Sequence, residues 1–139
     1  MSDSSVADAP QFPPFIAQSI GAALTVADVA TSRDWYCTVL GFTLDREHQR
    51  DGKLLACSLK AGEIRLLVTQ DDGLRGPRTK GEGFSLQFVT TQSIDAIAAH
   101  ARAAGATFDT EPADIMGARA FRLRDPDGFK LVFSSPRNS

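Results

Sequence analysis

The sequence has little of several features that would reveal a function at once. It holds only two cysteines, Cys37 and Cys57, in 139 residues, and such a pair is a poor disulfide framework. No apolar run approaches the roughly 20 residues that cross a bilayer. The formal net charge is −2, which gives no broad basic surface for nucleic acid. We therefore expect a partner that is neither nucleic acid nor membrane.

The N-terminus also lacks the marks of an export signal. Residues 1–15 contain no basic segment followed by a long apolar one, as secretion would require. We expect residues 1–17 to form a flexible tail, or an arm that packs on a partner. Without an export signal a reducing cytoplasm is the expected location, and both cysteines are interpreted as small core residues.

What is present is the composition of one ordinary globular domain. Apolar residues make up 42% of the chain and charged residues 23%, as in typical folded proteins. A domain of this length buries about two-thirds of the surface that its unfolded chain exposes. The chain is therefore long enough to build a sizeable core.

The first half of the domain predicts a βαβββ unit. Residues 20–26 alternate between two faces, as a strand does. Asp28 is a suitable N-cap for a helix that ends at Leu40, and Gly41 follows as its C-cap. Three further strands, separated by glycine-containing turns, are expected at residues 42–49, 54–59 and 64–69.

The second half predicts the same order of elements. Thr91 is expected to cap a helix that Gly105 closes, with strands at residues 84–89, 107–110, 119–123 and 129–134. Matched landmarks of the two halves lie 63 to 66 residues apart. The chain therefore reads as a duplication within a single domain at residues 18–135. Its parts are module one at 18–70, a linker at 71–82, module two at 83–135 and a C-terminal tail at 136–139.

Two motifs carry a resemblance to a known family. Val26-Ala27-Asp28, followed by the run SRDWYCTVLGF at residues 32–42, is similar to a D…S…FY…LGF pattern, and Asp125-Pro126-Asp127-Gly128 makes a turn before the last strand. With its two βαβββ units the chain resembles the vicinal oxygen chelate superfamily. That group holds glyoxalase I, extradiol dioxygenases, fosfomycin-resistance enzymes and bleomycin-resistance proteins. The resemblance implies an α+β fold of two tandem modules, whose mixed sheet curls around a cavity and is commonly completed in a homodimer.

The resemblance also locates where a metal would be held. Metal-binding members use one residue from the first strand and one from the last strand of each module, and these positions here are Gly21, Leu66, Phe84 and Val132. None of the four offers the imidazole, carboxylate or thiolate that a divalent ion of this kind needs. We therefore expect a metal-free branch of the family, with no cofactor, and this counts against glyoxalase, ring-cleaving and fosfomycin chemistry.

Strand alternation predicts an inner surface for an organic ligand. If Leu131 and Phe133 pack under the helices, the side chains between them face the cavity. That surface is mainly apolar, as ligand sites usually are, and a guanidinium in it would suit a carboxylate or phosphate. Arg122 could instead extend to the rim or pair with an internal acid. The predicted ligand-binding residues are Thr25, Leu66, Phe84, Phe88, Arg122 and Val132.

Other polar residues are weaker candidates. His48 lies on an alternating charged segment, either at a solvated edge or at the cavity mouth as an acid or base. Three linker cations could attract an anionic ligand or simply be solvated. They are Arg75, Arg78 and Lys80.

Two functions stay open on this basis. The first is sequestration of a small hydrophobic or anionic molecule, such as an antibiotic or a metabolite, by a protein similar to the bleomycin-resistance branch. Cationic bleomycin itself fits poorly, because Arg122, Arg124 and Lys130 are expected to face the cavity. The alternative is a metal-independent isomerase, lyase or hydrolase that uses His48 or Arg122. We favour binding, because the spacing displays no set of catalytic groups.

Overall fold

The computed structural model describes residues 13–74, 76, 81 and 83–136. The first unit consists of β1 (Ala22–Val26), α1 (Val29–Leu40), β2 (Thr43–Arg50), β3 (Lys53–Ala61) and β4 (Ile64–Gln70). The second consists of β5 (Leu86–Val89), α2 (Ile94–Ala103), β6 (Thr107–Ile115), β7 (Ala118–Arg124) and β8 (Lys130–Pro136). The predictions for residues 1–12, and those for Arg75, Arg78 and Lys80, lie outside the described residues.

Each unit forms its own four-stranded mixed sheet. The strand order is β1-β4-β3-β2 in module one and β5-β8-β7-β6 in module two. The first strand of each unit runs parallel to the last, and the other neighbours are antiparallel. One hydrophobic core includes residues of both units. The predicted α+β fold of two tandem βαβββ modules is confirmed.

The two helices begin at side-chain caps. Asp28 Oδ2 accepts a hydrogen bond from the Thr31 backbone nitrogen at 3.1 Å, and Gly41 ends α1 in the left-handed conformation, as predicted. The predicted cap of α2 at Thr91 is wrong, because Ser93 caps the helix and accepts from the Ala96 nitrogen. Both residue types cap well, and the burial of Ile94 directly after Ser93 favours the later start. Neither helix is long and apolar enough to cross a membrane, among the residues described.

Each sheet has two distinct faces. Directly paired residues of antiparallel strands share a face, and successive residues alternate between faces. The core face packs against the helices and carries Leu24, Val26, Cys57, Leu59, Leu66 and Val68 in module one, and Phe121, Leu123, Leu131 and Phe133 in module two. We call the opposite side the open face. Its half-buried or exposed residues include Ala23, Thr25, Ser58, Leu67 and Thr69 in module one, and Gln87, Ala120, Arg122, Lys130 and Val132 in module two.

A buried hydrogen bond joins the modules. Tyr36 Oη, on α1, donates to Asp125 Oδ2 at 2.7 Å, and both side chains are almost completely buried. The other oxygen of Asp125 accepts from the backbone nitrogens of Asp127 and Phe129, each at 2.9 Å. Asp127 in turn accepts from the Ala27 nitrogen at 2.8 Å. The turn at residues 125–128 therefore fastens module two to the start of α1.

Burial and hydrogen bonding act in opposite directions on this carboxyl. Burial raises the pKa of Asp125, whereas the hydrogen bonds from Tyr36, Phe129 and Asp127 lower it, and the net direction is upward. Burial also raises the pKa of Tyr36, followed by the effect of the Asp125 charge. The tyrosine therefore keeps its proton and remains a donor to Asp125.

A row of aromatic rings crosses the same boundary. Tyr36 contacts Phe42 at 5.5 Å between ring centroids, and Phe42 contacts Phe88 of module two at 6.0 Å. Phe88 then stacks on Phe133 at 5.1 Å, and Phe133 on Phe121 at 5.0 Å. Such pairs stabilise a fold beyond the area that they bury. The core is therefore continuous from α1 to β7.

We expect Tyr36→Phe to lower the free energy of unfolding by about 1–3 kcal/mol at neutral pH, because it leaves a buried carboxylate oxygen without its donor. In the wild type the hydrogen bond from Tyr36 lowers the pKa of Asp125. Removing that bond therefore gives Asp125 a higher folded-state pKa in the variant. The difference between wild type and variant is then largest where Asp125 is ionised, and it shrinks as the pH falls through the raised pKa. Urea denaturation at several pH values measures both effects.

Ser32→Ala is the matched control, since it removes another hydroxyl from the core side of α1. Ser32 is fully buried and its Oγ has no hydrogen-bond partner within the described residues. Deleting an unpaired buried hydroxyl should leave stability unchanged or raise it. Equal losses in the two variants, or a Tyr36→Phe loss that ignores pH, would contradict the assigned role of the Tyr36–Asp125 bond.

Candidate functional site

A depression of about 620 Å³ lies on the open face of module two. All four strands of the sheet, or the segments entering them, contribute to it. It brings together three of the predicted ligand-binding residues, Phe84, Arg122 and Val132. Its wall also includes Gly83, Ser85, Gln87, Asp109, Thr110, Arg124 and Lys130.

The depression carries an excess of positive charge. Arg124 is paired with Asp109 and also donates to the Gly128 carbonyl at 3.1 Å. Arg122 and Lys130 are exposed, and neither forms an ion pair with any residue in the described part of the chain. Arg122 pairs across the strands with Thr110 and Val132. Among the described residues no acid pairs with its guanidinium, which counts against the second alternative for Arg122, a pair with an internal acid.

An aromatic ring stands beside these cations. Phe84 precedes β5 and stacks on Phe129, with 6.0 Å between centroids and an interplanar angle of 23°. Its side chain is still 48% exposed. Because Phe129 directly follows the turn at residues 125–128, the ring is supported by the joint between the modules. The depression thus combines an apolar surface with two cations that no described residue pairs with.

Two predicted ligand-binding residues lie on the wrong face. Leu66 is paired with Leu59 and is almost fully buried on the core face. Phe88 pairs with Phe133 and stacks on it within the core. The predicted facing of both side chains is wrong, because neither reaches an open face; Phe88 instead borders a second recess, which lies between the modules. Their neighbours Leu67 and Gln87 do reach an open face.

The error has a local cause in each strand. In β4 the prediction matched Leu66 with Val132 across the repeat, whereas the pairing of Leu59 with Leu66 and of Leu123 with Leu131 makes Leu67 the counterpart of Val132. In β5 the prediction counted Phe84 as part of the strand, which begins only at Leu86. A slip of one residue moves a side chain to the opposite face.

Thr25 and His48 are on the open face of module one and outside the depression. Thr25 Oγ1 lies 3.4 Å from Thr69 Oγ1 on the neighbouring strand. His48 pairs with Ala56 and is exposed. Within a single chain these two residues do not meet Phe84, Arg122 and Val132. A role for His48 would need the open face of module one to approach that of module two.

Sequence reasoning missed Gln87, Asp109 and Thr110. The polar residues Ser85 and Gln87 alternate with Leu86 and Phe88, and this pattern alone could have placed Gln87 on the open side. Asp109 and Thr110 fall where the β6–β7 pairing is irregular, so alternation could not assign their faces.

The positions that hold a metal in metal-binding proteins of this fold are occupied here by residues that do not fit a metal. With the register corrected, they are Gly21, Ser85, Leu67 and Val132. A glycine, a serine and two aliphatic residues cannot supply the donors that Zn²⁺, Fe²⁺ or Mn²⁺ would require. Throughout residues 13–74, 76, 81 and 83–136, no cluster of three or more His, Cys, Asp and Glu residues could hold a metal ion.

Comparison with known proteins agrees with this fold. The sequence profile of the Glyoxalase/Bleomycin resistance protein/Dioxygenase superfamily matches residues 19–133. The chain belongs to this superfamily. None of the curated proteins matches it.

Solved structures of superfamily members and similar proteins superpose on most of the chain. TnmS3, an antibiotic binding protein from Streptomyces sp. CB03234, has a TM-score of 0.70 at 20% identity, with 88% of this chain and 98% of TnmS3 covered. TioX from Micromonospora sp. ML1 has a TM-score of 0.69 at 22% identity, with 85% and 98% covered. The virulence protein STM3117 from Salmonella typhimurium reaches 0.70 at 25% identity, with 88% and 98% covered.

We expect purified protein to contain substoichiometric Mn, Fe, Ni and Zn by elemental analysis. Treatment with EDTA should leave its melting temperature unchanged, because the described residues offer no ligand set that would couple metal binding to folding. One tightly held ion per chain, whose removal lowers the melting temperature, would contradict this prediction.

Proposed function

We propose that this superfamily member binds a small organic molecule with an anionic group and an apolar, preferably aromatic, body, without a metal and without altering it. The observation that carries the proposal is the placement of Arg122 and Lys130, which have no ion-pair partner in the described part of the chain, beside Phe84 and Val132 in one depression. A guanidinium forms paired hydrogen bonds with a carboxylate or phosphate. The exposed ring offers a surface on which a flat ligand can stack.

The charge of the depression selects among ligands. Three cations face one carboxylate, Asp109, which Arg124 already engages. A cationic ligand would therefore meet repulsion, whereas an anionic ligand would gain from both free cations. One of the similar structures is an antibiotic binding protein, so aromatic antibiotics that carry a carboxylate are a reasonable first set of ligands to test.

Binding is favoured over catalysis because neither cysteine is suited to act as a nucleophile. Cys57 is buried, and burial raises the pKa of its thiol and that of Cys37, so neither is an activated nucleophile. The alternative, a metal-independent isomerase, lyase or hydrolase, is favoured by one observation, the exposed His48 on the open face of module one. That reading requires the two open faces to come together.

We also propose that the chain forms a homodimer in the cytoplasm. Apolar side chains remain exposed on the open faces, among them Leu67 and Val89, and pairing with a second copy would cover them. Both cysteines are free, as a reducing compartment would keep them.

We expect a thermal-shift screen of aromatic carboxylates and carboxylate-bearing aromatic antibiotics to find ligands that raise the melting temperature. Mass spectrometry should recover those ligands unchanged. Arg122→Leu should weaken the binding of each anionic hit by about tenfold or more, the loss expected for a charged hydrogen bond of about 1.5–3 kcal/mol, while neutral analogues should change little.

Arg119→Leu is the matched control, because Arg119 is on the same strand but faces Asp95 and Asp114 rather than the depression. It should leave ligand affinity unchanged. Turnover of a hit would favour the enzyme alternative. Equal affinity in wild type and Arg122→Leu would remove Arg122 from the site.

A further inference from the structure

The two modules repeat one arrangement of charges on their open faces. In β2 the pairing with β3 passes over Asp45, and in β6 the pairing with β7 passes over Asp109, so each acid lies at an irregularity of an edge strand. The two inner strands beside it carry a directly paired set of cations. These are Lys60 with Arg65 in module one and Arg124 with Lys130 in module two. The duplication therefore places one carboxylate next to two cations in each half of the domain.

In module one the acid holds both cations. Arg65 Nη1 lies 2.5 Å from one oxygen of Asp45, and Lys60 Nζ lies 4.0 Å from the other. The carboxylate is therefore engaged on both sides, by side chains that come from two neighbouring strands. Module one thus shows, within the same chain, that two cations placed in this way close on a single anionic group.

In module two the acid leaves one of the two cations over. Asp109 pairs with Arg124, whereas Lys130 has no ion-pair partner in the described part of the chain. Arg122 lies two residues before Arg124 on the same face, where module one has Ser58 instead. The described wall of the depression holds three cations and one acid, so its formal charge is three minus one, or +2.

Arg122 and Lys130 are placed to act on the same group. Arg122 pairs directly with Val132, and Lys130 lies two residues from Val132 on the same strand and the same face. Diagonal neighbours of this kind are about 7–8 Å apart, within reach of long side chains. Ser85 lines the depression as well, and its hydroxyl can donate a hydrogen bond. Two cations and a neutral donor therefore line one space.

We propose that the anionic group of the ligand is a single dianionic phosphoryl group, carried by an aromatic body as a phosphate monoester. This inference rests on the binding function proposed above. A phosphoryl group has three strong acceptor oxygens and close to two negative charges at neutral pH. It can therefore bind Arg122 and Lys130 at once and neutralise the wall. A carboxylate held by both arms of a guanidinium has no third oxygen for Lys130.

Calorimetric titration of the full chain with phenyl phosphate and with benzoate at pH 7.5 tests the assignment. Phenyl phosphate should bind about tenfold more tightly, because it gains a second charged contact. Lys130→Met should remove that advantage, with about a tenfold loss for phenyl phosphate and little change for benzoate. Lys53→Met is the matched control, because it removes the same charge from an exposed position of module one, and it should leave both affinities unchanged.

The protonation of the ligand gives a second measurement. The second pKa of a phosphate monoester is about 6, so phenyl phosphate gains its second charge between about pH 5 and pH 7. Its affinity should rise over this range in the wild type and stay nearly constant in Lys130→Met. Benzoate keeps one charge throughout, so titrations with benzoate in the same buffers report any change in the charge of the protein itself.

The two proposals fail separately. Benzoate that binds as tightly as phenyl phosphate, or a Lys130→Met loss that is equal for both ligands, would overturn the phosphoryl assignment and leave the proposed binding function in place. Isophthalate that matches phenyl phosphate would also overturn it, since two separate carboxylates would then suffice, and inorganic phosphate that matches phenyl phosphate would exclude an aromatic body. If neither phenyl phosphate nor any carboxylate bound, the binding function itself would be refuted.

Discussion

The structure depends on one buried hydrogen bond, between the hydroxyl of Tyr36 and the carboxylate of Asp125. A carboxyl in the core is unfavourable unless its oxygens are satisfied, and here one oxygen takes the tyrosine and the other takes two backbone nitrogens. The module-two turn is thereby held in a single shape and tied to α1. Because apolar packing alone is not directional, this bond fixes how the two sheets are placed relative to each other.

The row of aromatic rings adds packing free energy to the Tyr36–Asp125 hydrogen bond. It starts at Tyr36 itself and runs through Phe42, Phe88 and Phe133 to Phe121. The hydrogen bond and the aromatic row share one residue, Tyr36. Its ring packs in the core, and its hydroxyl forms the bond that joins the modules. The modules are thus packed as one body although their sheets are separate.

Local signals in the sequence predicted most of the fold. Asp28 and Gly41 bound α1 where their capping chemistry places them, and the alternation of Phe121, Leu123, Leu131 and Phe133 identified the core face of module two. Leu66 was misplaced because the repeat offset used for β4 was wrong by one residue, and a shift of one residue exchanges the faces. Phe88 was misplaced because Phe84, which was given the same face, lies before β5 begins. The Tyr36–Asp125 bond joins residues 89 positions apart, and no local pattern announces such a pair.

The candidate site was predictable only in part, for a related reason. Arg122 could be placed on the open face from its alternation with Phe121 and Leu123. Two further facts depend on how β6, β8 and the entry to β5 come together: no acid of the described residues pairs with Arg122, and Lys130 and Phe84 lie in the same depression.

The turn at residues 125–128 has two duties. Besides holding the modules together, it gives the Gly128 carbonyl to Arg124 and leads into Phe129, on which Phe84 rests. A molecule bound in the depression would contact residues that rest on the joint between the modules. Ligand binding and the stability of that joint can therefore be linked in one free-energy cycle. If a bound ligand stabilises this joint, then weakening the joint lowers the affinity for that ligand by the same factor.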